Sequence, residues 1–422
     1  MAGRTGRNLE VEVPKVQPAK DPPPTVLGTG RVAPDAQPRG PLGLYIHIPF
    51  CAAICNYCNF NRGLFDADLK TRYVEALIAE IAGAGGSGGA GGSGGSGREA
   101  DTIYFGGGTP SLLEPADVGR IIDSCLSSFD VDADREVTME ANPETVTEER
   151  LSAYRDAGVN RISFGVQSFR DEELRRLSRL HGAARARGAY HEARRAGFDN
   201  ISLDLMMWLP GQRVADWLDS IDAAIALGPE HLSLYLLEVY ANAPLKDEMA
   251  RAHWSQAPDE DAEAMYLTAM ERLDAARYRQ YEISNVARPG RESRHNLKYW
   301  MDGEWLGFGC GAHSTRDGVR WRNVSATEEY VSRIGRAAAV ATDVHRLSAD
   351  QRLGDALFTG LRLTGGVDLD AVGRRYGVDV WQRHGADLDP FLEDGCLRRD
   401  GARLWLTRRG MLLANEVMAV FV

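Results

Sequence analysis

Hydrophobic positions along this chain follow two alternating rhythms. Short runs rich in β-branched and aromatic residues recur at 44–48 (LYIHI), 102–105 (TIYF), 136–140 (EVTME), 161–166 (RISFGV), 200–205 (NISLDL) and 231–236 (HLSLYL). Between them lie stretches with helical spacing at 67–81, 115–127, 148–157, 184–196 and 215–226. Strands that alternate with helices predict parallel βαβ units, because each helix covers the sheet and returns the chain to the same edge. A closed eight-unit barrel takes ~250 residues, so the span available fits about six units and predicts an α/β partial barrel, open along one side. Beyond 258 the pattern turns helical (259–277) and then passes through Gly- and aromatic-rich loops around His295 to His313. From about 347 a smaller unit is expected, with helices at 349–361, 369–376 and 386–393 and a hairpin pairing 396–398 with 404–406. Asp400-Gly401 between those short strands signals a type I′ turn, and helices followed by a hairpin predict a winged-helix-like domain.

The same pattern divides the chain. Residues 1–41 are rich in proline and poor in aromatics, which predicts a disordered leader. The barrel is expected over 42–250, interrupted at 83–97 by a Gly/Ser-rich insertion (GAGGSGGAGGSGGSG) that reads as a floppy surface segment. A helical and loop extension is expected over 251–345, and the C-terminal domain over 346–422.

Charge and composition narrow the class of function. The 422 residues carry a formal net charge of -11, which argues against nucleic acid as a partner, since the bulk field repels phosphate. No run of ~18 apolar residues is present to cross a bilayer, so an integral membrane protein is not expected. Residues 1–40 show no apolar signal segment, which makes the cytoplasm the expected compartment. Six cysteines are too few for a disulfide scaffold; three of them cluster, and Cys125, Cys310 and Cys396 are scattered.

The candidate chemistry collects where the expected strands end. In parallel α/β sheets the loops after the strands converge on one mouth. Here Cys51, Cys55 and Cys58 follow the first strand, 106–110 (GGGTP) follows the second, Glu140 closes the third, Gln167 follows the fourth and Asp204 ends the fifth. Three thiolates spaced Cys-x3-Cys-x2-Cys suit one face of an iron–sulfur cluster, each holding one iron and leaving a fourth iron open. A structural zinc with His47 or another residue as fourth ligand is the rival on spacing alone.

In combination these motifs resemble radical S-adenosylmethionine (SAM) proteins. The resemblance rests on YIHIPFC at 45–51, the cysteine run followed by Asn59-Phe60, the 106–110 loop, EANP at 140–143, GVQS at 165–168, and Asp204 ahead of Leu209-Pro210-Gly211. Within that superfamily the chain is similar to the branch containing oxygen-independent coproporphyrinogen III oxidase and the heme chaperone HemW. The resemblance implies a 4Fe-4S cluster on Cys51, Cys55 and Cys58, with SAM on the open iron. It implies SAM contacts from Tyr45, Phe60, Gly107, Gly108, Thr109, Glu140, Gln167, Arg179 and Asp204. Phe60 stands where the oxidase pattern carries a further cysteine two positions after the third ligand, so decarboxylation of a porphyrinogen is not expected.

A second signature, HNLKYW at 295–300, matches the HNxxYW pattern that the resemblance associates with heme. It implies heme contact by His295, Asn296, Tyr299 and Trp300, with imidazole as the axial donor and aromatic rings covering the macrocycle. The Gly-rich segment at 307–314 (GFGCGAHS) offers His313 as a second donor and carries Cys310 where proline is expected. The function implied is that of a heme chaperone, with heme as cargo and an unidentified acceptor protein as partner, including peripheral contact with membrane heme proteins. A radical enzyme acting on a tetrapyrrole is the alternative, and a zinc-stabilised interaction protein a more remote one.

Overall fold

Polar and apolar residues alternate along the leading strand, and the alternation sets the architecture. In the computed structural model, which describes residues 40–85, 99–241 and 243–422, β1 (Leu42–Ile48) buries Leu42, Leu44, Ile46 and Ile48 beneath the surrounding helices. Each such side chain contributes roughly 1.5–3 kcal/mol. The alternate residues, Gly43, Tyr45 and His47, face the inside of the barrel, where Tyr45 stacks on Tyr104. A small parallel pair, β2 (Phe50–Cys51) and β3 (Gly63–Leu64), brackets the cysteine loop.

The remaining expected strands are all present: β4 (Glu99–Gly107), β5 (Asp130–Ala141), β6 (Arg161–Gln167), β7 (Ile201–Met207) and β8 (His231–Leu236). They run parallel in the order β1-β4-β5-β6-β7-β8. The covering helices are Ala67–Gly85, Pro115–Ser128, Glu148–Asp156, Ala183–Arg195 and Val214–Leu227. The partial barrel of six βα units is thus the observed fold. Residues 1–39, expected as a leader, lie outside the described residues; of the Gly/Ser-rich stretch, 86–97 also lie outside them, and its first three residues end the helix Ala67–Gly85.

The segment at 251–345 departs from its expectation of helix and loop. It supplies six strands: β9 (Arg279–Glu282), β10 (Asn285–Ala287), β11 (Trp305–Phe308), β12 (His313–Arg316), β13 (Val319–Asn323) and β14 (Ala341–Arg346). β10 pairs with β8 at one edge of the barrel sheet; β11 pairs parallel with β1 at the other. From β11 the sheet continues antiparallel through β12, β13 and β14, giving one sheet of twelve strands among the described residues. These strands escape a search for apolar runs because they are short and carry Arg, His and Asp on a solvated face.

The C-terminal part has the expected winged-helix-like order. Helices Ala349–Gly360, Leu369–Tyr376 and Val380–Glu393 precede the hairpin of β16 (Leu397–Asp400) and β17 (Arg403–Leu406), while β15 (Val367–Asp368), between the first two helices, pairs with the other side of β17. The third helix begins six residues earlier than expected because Asp379 caps it, accepting from the Gln382 amide at 2.9 Å. The hairpin turn is centred on Gly401-Ala402, since Asp400 already pairs with Arg403. Gly401 has φ +57°, and glycine first is the type II′ pattern, not the expected I′.

Candidate cofactor-binding site

The cysteine loop is anchored at both ends. At its start, Gly108 N donates to the Ile48 carbonyl and Thr109 N to the Phe50 carbonyl, each at 2.8 Å. At its end, His47 Nε2 donates to the Asn61 carbonyl at 2.8 Å, while the Tyr45 hydroxyl meets Nδ1 at 3.1 Å. Both nitrogens of His47 are therefore engaged, and it is not arranged as a fourth zinc ligand. Asn61 in turn donates to the carbonyls of Cys310 and Ser325, both at 3.1 Å. A Cβ at Gly311 would stand 2.3 Å from Asn61 Nδ2, so the Gly-rich segment at 307–314 serves to bring its backbone against the end of the cysteine loop. Cys310 is fully buried beneath that contact, its Sγ 3.5 Å from Thr327 Oγ1.

The three thiols occupy distinct surroundings. Cys51 Sγ receives Thr109 Oγ1 at 3.7 Å, Cys55 Sγ receives Arg179 Nη1 at 3.4 Å, and the Cys58 carbonyl accepts from Arg62. Burial raises the thiols of Cys51 and Cys58 above their usual range, so metal binding there must release protons. Among the described residues no three His, Cys, Asp or Glu side chains close around a point as a single-ion site requires. The donor set fits a cluster, whose separate irons hold thiolates apart, better than one zinc ion.

Beside the thiols, the strand ends build a polar mouth. Gly107 adopts φ +112°, and a Cβ there would lie 2.5 Å from the His47 ring, so only glycine fits this turn. Its N–H donates to Glu140 Oε2 at 3.2 Å, and Tyr104 donates to Glu140 Oε1 at 2.8 Å. Burial pushes the Glu140 carboxyl up to about 7 and raises Asp204 as well, although Ser163 donates to Asp204 at 3.0 Å. Gln167 has φ +66°, and its Oε1 is buried without a hydrogen-bond partner, as is Arg179 Nε. Two part-buried carboxylates, an unpaired amide oxygen and an unpaired guanidinium N–H fit a ligand rich in hydroxyl, amino and carboxylate groups, as SAM is. Of the other expected contacts, Thr109 is buried against Cys51, Tyr45 lies in the barrel, and Phe60 is 64% exposed beyond the thiols.

Two residues of the barrel, one at this mouth and one at a strand start, carried no role in the sequence reading. Asn142 donates to Thr109 Oγ1 at 3.2 Å and accepts from Arg179 Nη2 at 2.6 Å, linking the glycine loop to the arginine. It lies within the EANP motif, which is the signal that could have singled it out. Arg161, 2% exposed at the start of β6, leaves Nε without a partner inside the barrel. Its position at a strand start gave no comparable signal.

The HNLKYW segment forms the helix Arg294–Trp300, capped by Ser293. Glu136, on β5, accepts from the amides of Arg294 at 3.0 Å and His295 at 3.1 Å, which fixes that helix against the barrel. His295 is 1% exposed, with Nδ1 2.9 Å from Thr102 Oγ1 and Nε2 2.8 Å from the Tyr299 hydroxyl. Neither nitrogen is presented to a ligand in this arrangement, and burial, followed by the nearby Lys298 charge, lowers its pKa to about 3. Asn296 caps back through its amide to Ser293 Oγ. Tyr299 meets Trp305 edge-on at 4.6 Å, and Trp300 lies under the Arg362 guanidinium at 4.3 Å; both aromatic residues line a cavity of ≈ 250 Å³ outside the barrel.

Residues 45–224 match the Radical SAM superfamily, and 347–413 match the HemN C-terminal domain. Six βα units, a three-cysteine loop and this appended domain define a radical SAM protein. The heme chaperone HemW of Bacillus subtilis (strain 168) is 35% identical over 379 residues, covering 90% of this chain and 98% of that protein. The HemW of Mycobacterium tuberculosis (strain ATCC 25618 / H37Rv) is 36% identical over 385 residues, covering 90% and 95%. The chain belongs to the HemW family. Coproporphyrinogen III oxidase (HemN) from Escherichia coli, a radical SAM enzyme, superposes with a TM-score of 0.79 over 92% of this chain and 91% of its own at 22% identity, a likeness of fold.

Proposed function

We propose that this protein is a heme chaperone of the cytoplasm that carries a 4Fe-4S cluster and SAM and passes heme to an acceptor protein. The observation that carries the reading is the similarity to two heme chaperones across nine-tenths of the chain. Cys51, Cys55 and Cys58 would hold the cluster, and the 107–109 backbone, Glu140, Gln167, Arg179 and Asp204 would hold SAM. When bound, a reduced cluster supplies the electron that breaks the sulfonium bond of SAM. The chain's own contribution is to hold the ligand: Glu140 and Asp204 accept from hydroxyls, Gln167 Oε1 accepts from an N–H or O–H, and Arg179 offers Nε to a carboxylate. Among the described residues no helix is long and apolar enough to cross a membrane, so an encounter with membrane heme proteins would be peripheral.

The oxidase alternative meets an obstacle at Phe60, whose ring supplies no thiol after Cys58. Purified chain, reconstituted anaerobically with iron and sulfide, is titrated with heme, mixed with an apo heme protein, and in parallel given SAM and coproporphyrinogen III. Heme uptake and transfer without decarboxylation are expected. Decarboxylation with SAM consumption and no heme uptake would replace the chaperone reading by the enzyme.

A further inference from the structure

The barrel interior holds a positive charge that no contact neutralises. On β6, Ile162, Phe164 and Val166 pack outward under the helices, so Arg161, Ser163 and Gln167 point into the lumen. Arg161 lies at the strand start, away from the mouth, and among the described residues no carboxylate closes an ion pair with it. Its Nε has no partner, and Thr138, beside it in the register on β5, leaves Oγ1 equally unpartnered. A guanidinium buried without a partner is costly, so its charge calls for a role.

The strand register shows what that charge meets. Two residues along β6, Ser163 pairs with Glu140 on β5 and donates to Asp204 on β7 at 3.0 Å. Arg161 therefore stands one inward position behind the residue that joins both carboxyl groups. Burial raises the two carboxyls, and the Arg161 charge acts on each in the opposite sense. The other groups that face them are neutral or engaged elsewhere. Tyr45 on β1, Tyr104 on β4, Tyr235 on β8 and Tyr299 on the HNLKYW helix are phenols that burial holds above their usual range. His231 on β8 is bonded to Ser202 and Tyr281, and burial, followed by Arg161, lowers it well below its ordinary value. His47 is lowered by burial, and Arg179 is committed to Cys55, Asn142 and Gly165.

We propose that Arg161 is a positioning residue for the cofactor mouth: its unpaired charge holds Glu140 and Asp204 as carboxylates, able to accept from the hydroxyl and amino groups of SAM. This rests on the reading that SAM occupies the mouth. Action without contact suits the task. A carboxylate paired with Arg161 would have its oxygens engaged by the guanidinium, whereas one held charged across a low-dielectric interior keeps them for a ligand. Each oxygen of Glu140 accepts one bond from the chain, from Tyr104 or Gly107, and retains a second lone pair. An anion bound at Arg161 fits less well, because the lumen sets two carboxyl groups against one guanidinium.

SAM binding to the reconstituted chain, measured by calorimetry from pH 6 to 9, tests the proposal. Wild-type affinity should fall as pH drops through about 7, where Glu140 gains its proton. Arg161→Met and Arg161→Gln, one apolar and one polar, should both move that midpoint up by about one unit. At pH 7 this weakens SAM binding about fivefold, and by pH 9 the affinity returns to near wild type. Arg161→Lys restores the charge and should restore the midpoint; the groups of SAM itself titrate alike in all four proteins. A second measurement needs no cofactor. In urea denaturation of the cofactor-free chain, the stability lost as pH rises through the Glu140 titration should be lost about one unit higher in Arg161→Met and Arg161→Gln. Midpoints unmoved in both variants, with SAM weakened by one factor at every pH, would make Arg161 a packing residue and overturn the proposal. A wild-type chain that binds no SAM, while the urea midpoint still moves, would overturn the cofactor reading and not the action of Arg161 on Glu140.

Discussion

Arg179 and Cys55 meet directly: the guanidinium Nη1 stands 3.4 Å from the thiol sulfur, across 124 residues of chain. The same guanidinium donates through Nη2 to Asn142 Oδ1 at 2.6 Å and to the Gly165 carbonyl at 2.8 Å, so it cannot swing away from the sulfur. A charged N–H aimed at a cluster thiolate stabilises the more negative, reduced state.

Replacing Arg179 by Met should therefore lower the reduction potential of the reconstituted cluster while leaving the iron content near wild type. An EPR-monitored redox titration reads the effect. An unshifted potential would assign Arg179 to SAM alone.

The glycine loop implies a SAM contact at Gly108, and its neighbours add a second role. A Cβ there would lie 2.8 Å from the Phe50 carbonyl, 2.9 Å from the Ile48 carbonyl and 3.1 Å from Cys51 Sγ. The space beside Gly108 is filled by the cysteine loop itself. Gly108→Val should reduce the iron and sulfide bound per chain as well as SAM affinity, and iron analysis after anaerobic reconstitution measures the first effect independently of the second.

Glu140 predicts a dependence of stability on pH. Its folded carboxyl titrates at about 7 against an ordinary 4.5, because burial penalises the charge. The folded chain holds this proton more tightly than the unfolded one, so the contribution is complete below the unfolded pKa and is lost as pH rises through about 7. The full span is roughly 3 kcal/mol at most. Glu140→Gln keeps an acceptor for Gly107 and a donor for the Tyr104 hydroxyl, so it should flatten this slope between pH 5 and 8 in urea denaturation of the cofactor-free chain. An equal slope in both proteins would place the titrating group elsewhere.

The helix that carries HNLKYW depends on Glu136, which takes up two of its leading amides. Removing that carboxylate leaves buried donors unpaired, a cost of about 1–3 kcal/mol. Glu136→Ala should lower the thermal midpoint and loosen Tyr299 from Trp305. The indole fluorescence of single-Trp305 variants with and without Glu136 reads the second change.

The sequence carried the barrel because each parallel strand announces itself as an apolar run, and it carried the mouth because chemistry sits where those runs stop. Cys51, Gly107 and Glu140 fall at such ends, whereas Asp204, expected at one, lies mid-strand because β7 runs on to Met207. The strands β9 to β14 were not legible; Val319–Asn323 and Ala341–Arg346, for example, alternate charge with apolar residues on a surface sheet and resemble loops. The surroundings of His295 were hidden for a related reason. A motif shows which residues travel together, but the bonds to Thr102 and Tyr299 that occupy its nitrogens come from long-range packing and close contact one helical turn away. The pairing of Asn61 with Cys310, 249 residues apart, was equally invisible.

The bulge between Arg320 and Arg322, where β13 slips its register against β14, governs how the sheet ends. β14 is its outermost strand, and a flat outer strand with unpaired amides and carbonyls invites another chain to add to it. Here the register break against β13 twists that border, and Asp343, His345 and Arg346 place polar and charged side chains along it. Strand addition at β14 is thereby discouraged. A sheet that stops by its own irregularity can leave a face exposed to solvent without offering its border as a template for a further strand.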